Sequence, residues 1–271
     1  MNKINYLNVG CGKKYHPDWI NLDLKSNSPD VVAVNLLKGI PFPDNYFQVV
    51  YHSQVLEHIP KEKANEFVKE CYRVLRPNGI MRVVVPDLEN IIDEYKRLLK
   101  ENIENTNKRS EADYDWIMLE LYDQVVRNYS GGQMGEYLRQ PEIINDDYVI
   151  ERIGYVGLKN RNDYVVFKNS DKKTKIRTTI KRVIKKVLSG IRDSIPGEAA
   201  KVGKFRLSGE NHLWMYDRFS LIRLLKQSGF QIVSIKNPFD SDIPDWPKYE
   251  LDVKEGIIFD PKSLFVEAKK E

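Results

Sequence analysis

The stretch "LNVGCGKKYHPDWINLDL", residues 7–24, decides the fold of this 271-residue chain. A short apolar run leads into Gly10 and Gly12, and Asp23 closes a second apolar run. Glycine has no Cβ and tolerates a positive φ, so such a loop lets a ligand approach the backbone closely. An acidic residue at the end of the second strand can accept hydrogen bonds from two ribose hydroxyls. The stretch therefore predicts an adenosine site, with a plain tight turn as the alternative.

The loop is too short for a dinucleotide. Tyr15 stands where a dinucleotide fold would have its third glycine, and Pro17 interrupts any helix that could form there. Without a full helix, no helix N-terminus holds a pyrophosphate. The connection is also about as short as a parallel crossover can be. The pattern disfavours a nicotinamide dehydrogenase and favours a nucleoside without a terminal phosphate, which describes S-adenosylmethionine (SAM).

The first ninety residues alternate between strands and helices. This alternation is typical of a parallel sheet covered on both faces. An amphipathic helix is predicted within 60–77, another within 217–230, and two final strands at 230–237 and 263–270. The five earlier strands are predicted at Tyr6–Val9, Trp19–Leu24, Val31–Val34, Phe47–His52 and Ile80–Val85.

Residues 88–210 fit neither the alternating strands and helices of the first ninety residues nor the helix and strands near the C-terminus. They begin with two helical patterns, at 88–99 and 114–126. We interpret them as a mainly helical insertion between the fifth strand and the next helix, over the sheet edge where open α/β sheets bind ligands. The predicted domains are a cofactor-binding core, 1–87 and 211–271, and a cap for acceptor binding, 88–210.

Composition sets broad limits. Hydrophobic residues make up 41% of the chain, enough for a core, and no stretch approaches the ~20 apolar residues of a membrane-spanning helix. No charged leader precedes an apolar segment, so we expect a cytoplasmic protein. Cys11 and Cys71 match neither a disulfide framework nor a metal site. The net charge of +4 is too small to indicate a nucleic-acid partner.

The segment 172–192 is strongly basic and contains nine Lys or Arg and no acid. Its apolar residues fall on one helical face. Such a helix either packs its apolar face on the core or lies against an anionic membrane at the inner face of the cell membrane. RNA binding is disfavoured because no stacking aromatics are interleaved with the charges.

Two further stretches carry a family resemblance: "IPFPDNYFQVVYHSQVLEHI", residues 40–59, and "LRPNGIMRVVVPD", residues 75–87. Together with the glycine loop they resemble the class I SAM-dependent methyltransferases, particularly the ubiquinone-biosynthesis-like, type 11 subset. The resemblance covers 5–87 and, through "LLKQSGFQIV" at 224–233, the C-terminal strands. It implies a Rossmann-like sheet of seven strands and SAM as the cofactor.

The resemblance also implies a cofactor pocket. Asp23 would bind the ribose. The sequence departs from the family in two places: Asn8 stands where an acid is usual, and the first helix is truncated. The residues that would line the pocket are Gly10, Cys11 and Gly12 at the methionine, Asn35 and Leu36 at the adenine, and Ser53 and Gln54 near the sulfonium.

A hydroxyl acceptor needs a base in addition to the activated methyl group. The first candidate is His212, and the second is His58; His16 and His52 are interpreted as structural. The alternative for His212 is a structural residue whose ring bonds to the backbone.

The segment "SGENHLWMYDRFS", 208–220, resembles one in bacterial methyltransferases associated with surface-polysaccharide synthesis. Trp214 and Tyr216 are candidates for a sugar-binding face, since such a face combines an apolar platform with polar groups. Asp87 either orients the acceptor or caps the helix that begins at Leu88.

No set of His, Cys or carboxylate residues has metal-ligand spacing along the chain, so the sequence predicts no metal. We predict an O-methyltransferase acting on a saccharide or glycan intermediate. An RNA or small-metabolite methyltransferase and a non-catalytic module that binds a partner or a membrane remain alternatives.

Overall fold

A computed structural model describes residues 5–26, 28–154, 157, 161 and 197–271. The predicted basic helix at 172–192 lies outside these residues. Seven strands form one sheet in the order β3-β2-β1-β4-β5-β9-β6, and β7 and β8 form a separate hairpin. The strands are β1 Tyr6–Val9, β2 Ile20–Asp23, β3 Val31–Ala33, β4 Phe47–Ser53, β5 Leu75–Pro86, β6 Ile232–Lys236, β7 Val253–Lys254, β8 Ile257–Ile258 and β9 Ser263–Lys269.

Strands β1 to β5 pair in parallel, and β9 lies antiparallel between β5 and β6. The Rossmann-like, seven-stranded architecture is therefore confirmed. Because parallel strands end at the same edge, the residues after β1, β2, β3 and β4 share one edge of the sheet. The glycine loop and Asp23 both lie at this edge.

The structure has six helices with defined bounds in its described part: α1 Lys61–Val74, α2 Leu88–Asn105, α3 Lys108–Val126, α4 Gly132–Leu138, α5 Glu198–Arg206 and α6 Arg218–Gln227. Helix α3 begins six residues before the predicted Tyr114. The reason is a capping box, in which Asn107 accepts from the backbone of Ser110 and the Ser110 side chain accepts from the backbone of Asn107. The apolar pattern identified the helix, whereas the polar cap sets where it begins.

The two faces of the sheet are covered differently. Helices α1 and α6 pack on one face, where Val50 and Val83 are fully buried. An aromatic cluster packs on the opposite face: Tyr6, Trp19, Tyr51, Trp246, Tyr249 and Phe265. The connection from β1 to β2 contains no helix. Aromatic rings from the loop between β6 and β9 therefore cover this face, with Trp19 and Tyr249 5.0 Å apart between ring centroids.

Arg82 is buried at the centre of the aromatic face. Its Nε donates to Asp252 at 2.7 Å and its Nη1 donates to Glu267 at 2.7 Å. The guanidinium also lies 4.8 Å from the ring centroid of Trp246. Two carboxylates thus compensate one buried cation, which buried charges require.

Residues 88–210 contribute α2 to α5 between β5 and α6, and no strand occurs among their described positions. Helices α2 and α3 bury a small core of their own at Ile91, Leu98 and Ile117. The division into a cofactor-binding core and an acceptor cap stays a prediction. Cys11 and Cys71 are both free and buried. None of the helices within the described ranges has the length and apolar character needed to cross a membrane.

Candidate active site

Gly10 and Gly12 shape the loop after β1, both at positive φ of 67° and 54°. A Cβ at position 10 would lie 2.5 Å from Cγ2 of Val55, whereas a Cβ at position 12 would meet nothing within 4 Å. Gly10 is therefore required by close packing against the residue that follows β4. Gly12 borders open space at the sheet edge.

Asp23 lies beside this loop at the end of β2. Its Oδ2 accepts from the backbone N–H of Gly12 at 2.8 Å, and its Oδ1 accepts from that of Lys25 at 3.2 Å. A carboxylate has about four lone-pair sites, so each oxygen keeps one for a ribose hydroxyl. The two parts of the predicted adenosine site are therefore joined by a hydrogen bond.

Lys14 was missed by the sequence analysis. Its Nζ donates to Asp260 at 2.7 Å and to Ser53 Oγ at 3.2 Å, which links the loop after β1 to the end of β4. The backbone carbonyl of Lys14 accepts from Nδ2 of Asn8 at 2.8 Å. Asn8 thus holds the loop where the family usually has an acid. The partner Asp260 is remote in the chain, so no local pattern indicates this contact.

The other predicted cofactor residues have contacts of their own. Asn35 caps a short 3₁₀ helix, Leu36–Lys38, by accepting from the backbone of Leu37 at 3.1 Å. Gln54, at a positive φ of 56°, donates to Ser263 Oγ at 2.9 Å. Asn35 and Gln54 are therefore engaged within the chain, and their cofactor roles stay predictions.

His58 and His212, the two candidate bases, lie in contact. Their ring centroids are 4.8 Å apart in an edge-to-face arrangement. Nδ1 of His58 is 2.9 Å from the backbone oxygen of Asn211. Since that oxygen can only accept, Nδ1 carries the proton and Nε2 keeps a free lone pair.

Glu57 lies next to the two histidines and was not singled out from the sequence. Its side chain is fully buried, and neither carboxylate oxygen has a hydrogen-bond partner. Burial raises the pKa of Glu57 to about 8, and Asp260 also raises it. Burial, with His58 and Arg127, lowers the pKa of His212 to about 3, and burial lowers that of His58. Both imidazoles are neutral at pH 7, the form that can accept a proton or bind a cation.

The segment that carries His212 is fixed to the end of α3 and to Glu57. The backbone N–H of His212 donates to Gln124 O at 2.9 Å, and Asn211 Nδ2 donates to Arg127 O at 2.9 Å. The N–H of Leu213 donates to the backbone oxygen of Glu57 at 2.7 Å. These bonds bring residues from two distant parts of the chain into one site.

Two clefts adjoin this site. One, of about 340 Å³, is lined by Gln54 at the end of β4 and by helices of the insertion, including Met134. The other, an open groove of about 480 Å³, is lined by Lys25, His58, Gln124, Arg127, Ser208, Gly209 and Glu210. Arg127 borders both clefts. A ligand in the groove would reach from Lys25, after β2, to His58, whose ring contacts that of His212.

Asp87 and Tyr216 are neighbours in an isolated β-bridge, but the three predicted acceptor residues do not form one open surface. Asp87 Oδ1 accepts from the N–H of Glu89 at 3.0 Å and caps α2. Trp214 is 38% exposed and carries the Lys61 ammonium 3.8 Å from its ring centroid. Tyr216 is only 3% exposed and packs in the core. Of the three, Trp214 alone has an exposed aromatic ring, and Lys61 covers part of it; the acceptor roles stay predictions.

The fold, the glycine loop and the acidic residue after β2 are together the features of a class I SAM-dependent methyltransferase domain, and SAM is the cofactor of such domains. Residues 20–83 match the family model described as "Methyltransferase domain". The chain therefore carries a methyltransferase domain.

Two curated relatives share this part of the chain. A probable SAM-dependent methyltransferase of Mycolicibacterium smegmatis is 34% identical over 98 residues, 30% of this chain and 37% of the relative. A phosphoethanolamine N-methyltransferase of Plasmodium falciparum is 26% identical over 84 residues, 30% of this chain and 32% of the relative. The chain thus spans about a third of the length of these relatives.

A solved structure of a SAM-dependent methyltransferase from Archaeoglobus fulgidus aligns with 99% of this chain and 87% of its own, at 13% identity and a TM-score of 0.40.

The residues at the sheet edge fit SAM. Gly12 borders open space that a larger residue would fill, and Asp23 keeps lone pairs for the ribose. Leu24 and Leu37, which follow β2 and β3, are 53% and 55% exposed. Exposed apolar side chains at this edge suit the faces of an adenine ring.

Proposed function

We propose that this protein transfers a methyl group from SAM to a hydroxyl group of a saccharide or glycan intermediate. The observation that carries the proposal is the groove shared by Lys25, two residues after Asp23, and His58. It joins the cofactor edge of the sheet to the neutral His58, which contacts the neutral His212 behind it. A hydroxyl acceptor must lose its proton as it is methylated, and a neutral histidine can take up that proton.

SAM, Asp23, the groove and the two histidines have different roles in this reaction. When bound, SAM supplies a methyl group made electrophilic by its sulfonium. Asp23 would hold the ribose, and the groove would hold the acceptor in line with the methyl group. Alignment of this kind contributes about 7–11 kcal/mol to lowering a barrier. SAM would supply the methyl group with its sulfur as the leaving group, and the proton of the acceptor hydroxyl would pass to His212 or to Nε2 of His58.

The test is transfer of radiolabelled methyl from SAM to a panel of soluble oligosaccharides, nucleotide sugars, phosphoethanolamine and RNA. We expect label in a saccharide, with a product that gains the mass of one methylene group. The His212→Asn variant should bind S-adenosylhomocysteine normally and lose transfer. Label only in the RNA or the amine would contradict the saccharide proposal.

A phosphorylated amine is the second candidate acceptor. Arg127 borders the groove, its side chain is 9% exposed, and its Nε has no hydrogen-bond partner among the described residues. A guanidinium with a free donor suits a phosphate. The same panel separates the two candidates, since phosphoethanolamine would then be the labelled acceptor.

Membrane contact through 172–192 is a separate proposal that rests on the sequence. A lipid-linked saccharide would bring its phosphates to a cytoplasmic membrane surface, where basic residues bind. We expect sedimentation with anionic liposomes at low salt, abolished when Lys181, Arg182, Lys185 and Lys186 become Glu. Wild-type protein that stays in the supernatant would overturn this proposal.

A further inference from the structure

Glu57, His58 and His212 form a cluster that the methyl-transfer proposal does not fully explain. One donor atom from each residue lies within 4.8 Å of the others, and His58 Nε2 is 4.0 Å from Glu57 Oε1. We propose that these three residues bind a divalent transition-metal ion, with Zn²⁺ as the best match. The geometry is the basis of the proposal, and a role for the ion in catalysis rests on the proposed function.

The donor set suits this ion. Two imidazoles and one carboxylate bind Zn²⁺ in catalytic sites, where a fourth position stays open for water or substrate. With bonds of about 2.0–2.2 Å, donors on one tetrahedral ion lie about 3.4 Å apart. Binding of the ion would therefore draw the present donors closer together.

Glu57 gives the strongest reason for a cation at this position. Its carboxylate is 0% exposed, and both oxygens lack hydrogen-bond partners. A buried carboxylate without a partner is costly unless it binds a cation or takes up a proton. Two basic side chains around the cluster have other carboxylate partners: Lys14 pairs with Asp260, and Arg127 pairs with Glu210 at 3.5 Å.

Each of the two histidines has a ring nitrogen available to bind a metal ion. The Nδ1–H of His58 is donated to the backbone oxygen of Asn211, so Nε2, which lies 4.0 Å from Glu57 Oε1, keeps its lone pair. Metal-binding histidines almost always donate their other N–H to such a carbonyl or carboxylate. The His212 side chain is 4% exposed and makes no hydrogen bond among the described residues, which leaves its ring nitrogens available.

The sequence prediction of no metal rested on spacing along the chain. Glu57 and His58 follow β4, whereas His212 lies beyond the insertion, so no short motif joins them. The backbone bonds from Leu213 and Trp214 to the carbonyl of Glu57 bring the two segments together. The open groove at His58 and Gln124 gives an ion and an acceptor a route to the site.

In the proposed reaction, the ion would bind the acceptor hydroxyl at its open position. A divalent ion lowers the pKa of a bound hydroxyl or water strongly, so the proton can leave to solvent. His58 and His212 would then act as ligands in place of the general base.

The test measures metal directly. Protein purified without a histidine tag is stripped with chelator and titrated with ZnCl₂ by calorimetry, and its zinc content is measured by mass spectrometry. We expect one Zn²⁺ per chain, and a Co²⁺-loaded form with the visible absorption of a tetrahedral site. Glu57→Gln and His212→Asn should each weaken Zn²⁺ binding at least 100-fold, while His16→Asn, the matched control outside the cluster, should bind as the wild type does.

Binding of S-adenosylhomocysteine by each variant reports on folding. Variants that bind this ligand normally and lose Zn²⁺ support the site. Wild-type protein that binds no Zn²⁺ at 100 µM, or variants that bind it as tightly as wild type, would overturn it. Methyl transfer that persists at full rate in chelator would remove the ion's catalytic role and leave the proposed function standing.

Discussion

Gly10 and Gly12 have similar backbone angles but different surroundings, and this difference can be tested. Gly10→Ala would bring a Cβ against Val55 and place alanine at positive φ, so we expect a loss of about 2–4 kcal/mol in the free energy of unfolding. Gly12→Ala should cost about 1–2 kcal/mol, because only the backbone conformation is strained.

Denaturant unfolding measures both losses. Calorimetry then compares the affinity of each variant for S-adenosylhomocysteine with that of wild type. The new methyl of Gly12→Ala enters the space assigned to the cofactor and should weaken its binding at least tenfold. Equal stability losses, together with unchanged binding by Gly12→Ala, would contradict the description of this loop.

His52 predicts a pH dependence of stability. It is fully buried, neither ring nitrogen has a hydrogen-bond partner, and burial lowers its pKa to about 3 from 6.5. The unfolded chain therefore takes up a proton that the folded chain does not, so stability falls as the pH decreases from 6.5 toward 3. The loss is about 1.4 kcal/mol per pH unit within that window.

The His52→Leu variant removes this contribution. The difference in unfolding free energy between wild type and variant should change with pH between 6.5 and 4 and stay constant above pH 7.5. A difference that is constant over the whole range would show that His52 does not take up a proton on unfolding.

The sequence identified the residues whose role depends on local backbone. Gly10, Gly12 and Asp23 follow two adjacent strands, so their proximity could be predicted from the strand pattern alone. The ion pair of Lys14 with Asp260 could not, because it joins the two ends of the chain. Glu57 was missed because nothing in "VLEHI" indicates that its carboxylate is buried without a partner.

At the level of elements, Arg82 links β5 to the neighbouring strand β9, through Glu267, and to the loop that covers the aromatic face, through Asp252. Arg82→Met leaves Asp252 and Glu267 buried without a cation, and we expect a loss of about 3–5 kcal/mol in the free energy of unfolding. The matched control is Arg97→Met on α2, whose side chain is 52% exposed and pairs with Glu94. Its loss should stay below about 1 kcal/mol.

Denaturant unfolding of the two variants decides this prediction. Similar losses for Arg82→Met and Arg97→Met would mean that the buried network contributes no more than an exposed ion pair.

The apolar patterns gave the strands of the sheet to within a few residues, except that β5 begins at Leu75 and not at Ile80. Helix boundaries were less accurate: α2 continues to Asn105, and α3 begins at its capping box. The aromatic cluster was not predicted. Its rings come from segments distant in the chain. The one signal in the sequence was the missing helix after Gly12, which leaves a face of the sheet for other residues to cover.

For the whole molecule, the parallel strands β1 to β4 place the predicted cofactor residues at one sheet edge, and 208–216 connects that edge to the insertion. The family resemblance predicted that these residues share one edge, because its motifs follow those strands. The meeting of His58 with His212 depends on how the insertion returns to the sheet, which no local pattern specifies.

The most direct test of the central claim, that this edge binds SAM, is calorimetric titration with S-adenosylhomocysteine of wild type and of Asp23→Ala. We expect one site per wild-type chain and a loss of affinity of at least tenfold in the variant, with NAD bound by neither. Wild-type protein that fails to bind S-adenosylhomocysteine, or a variant that binds it equally well, would contradict the account.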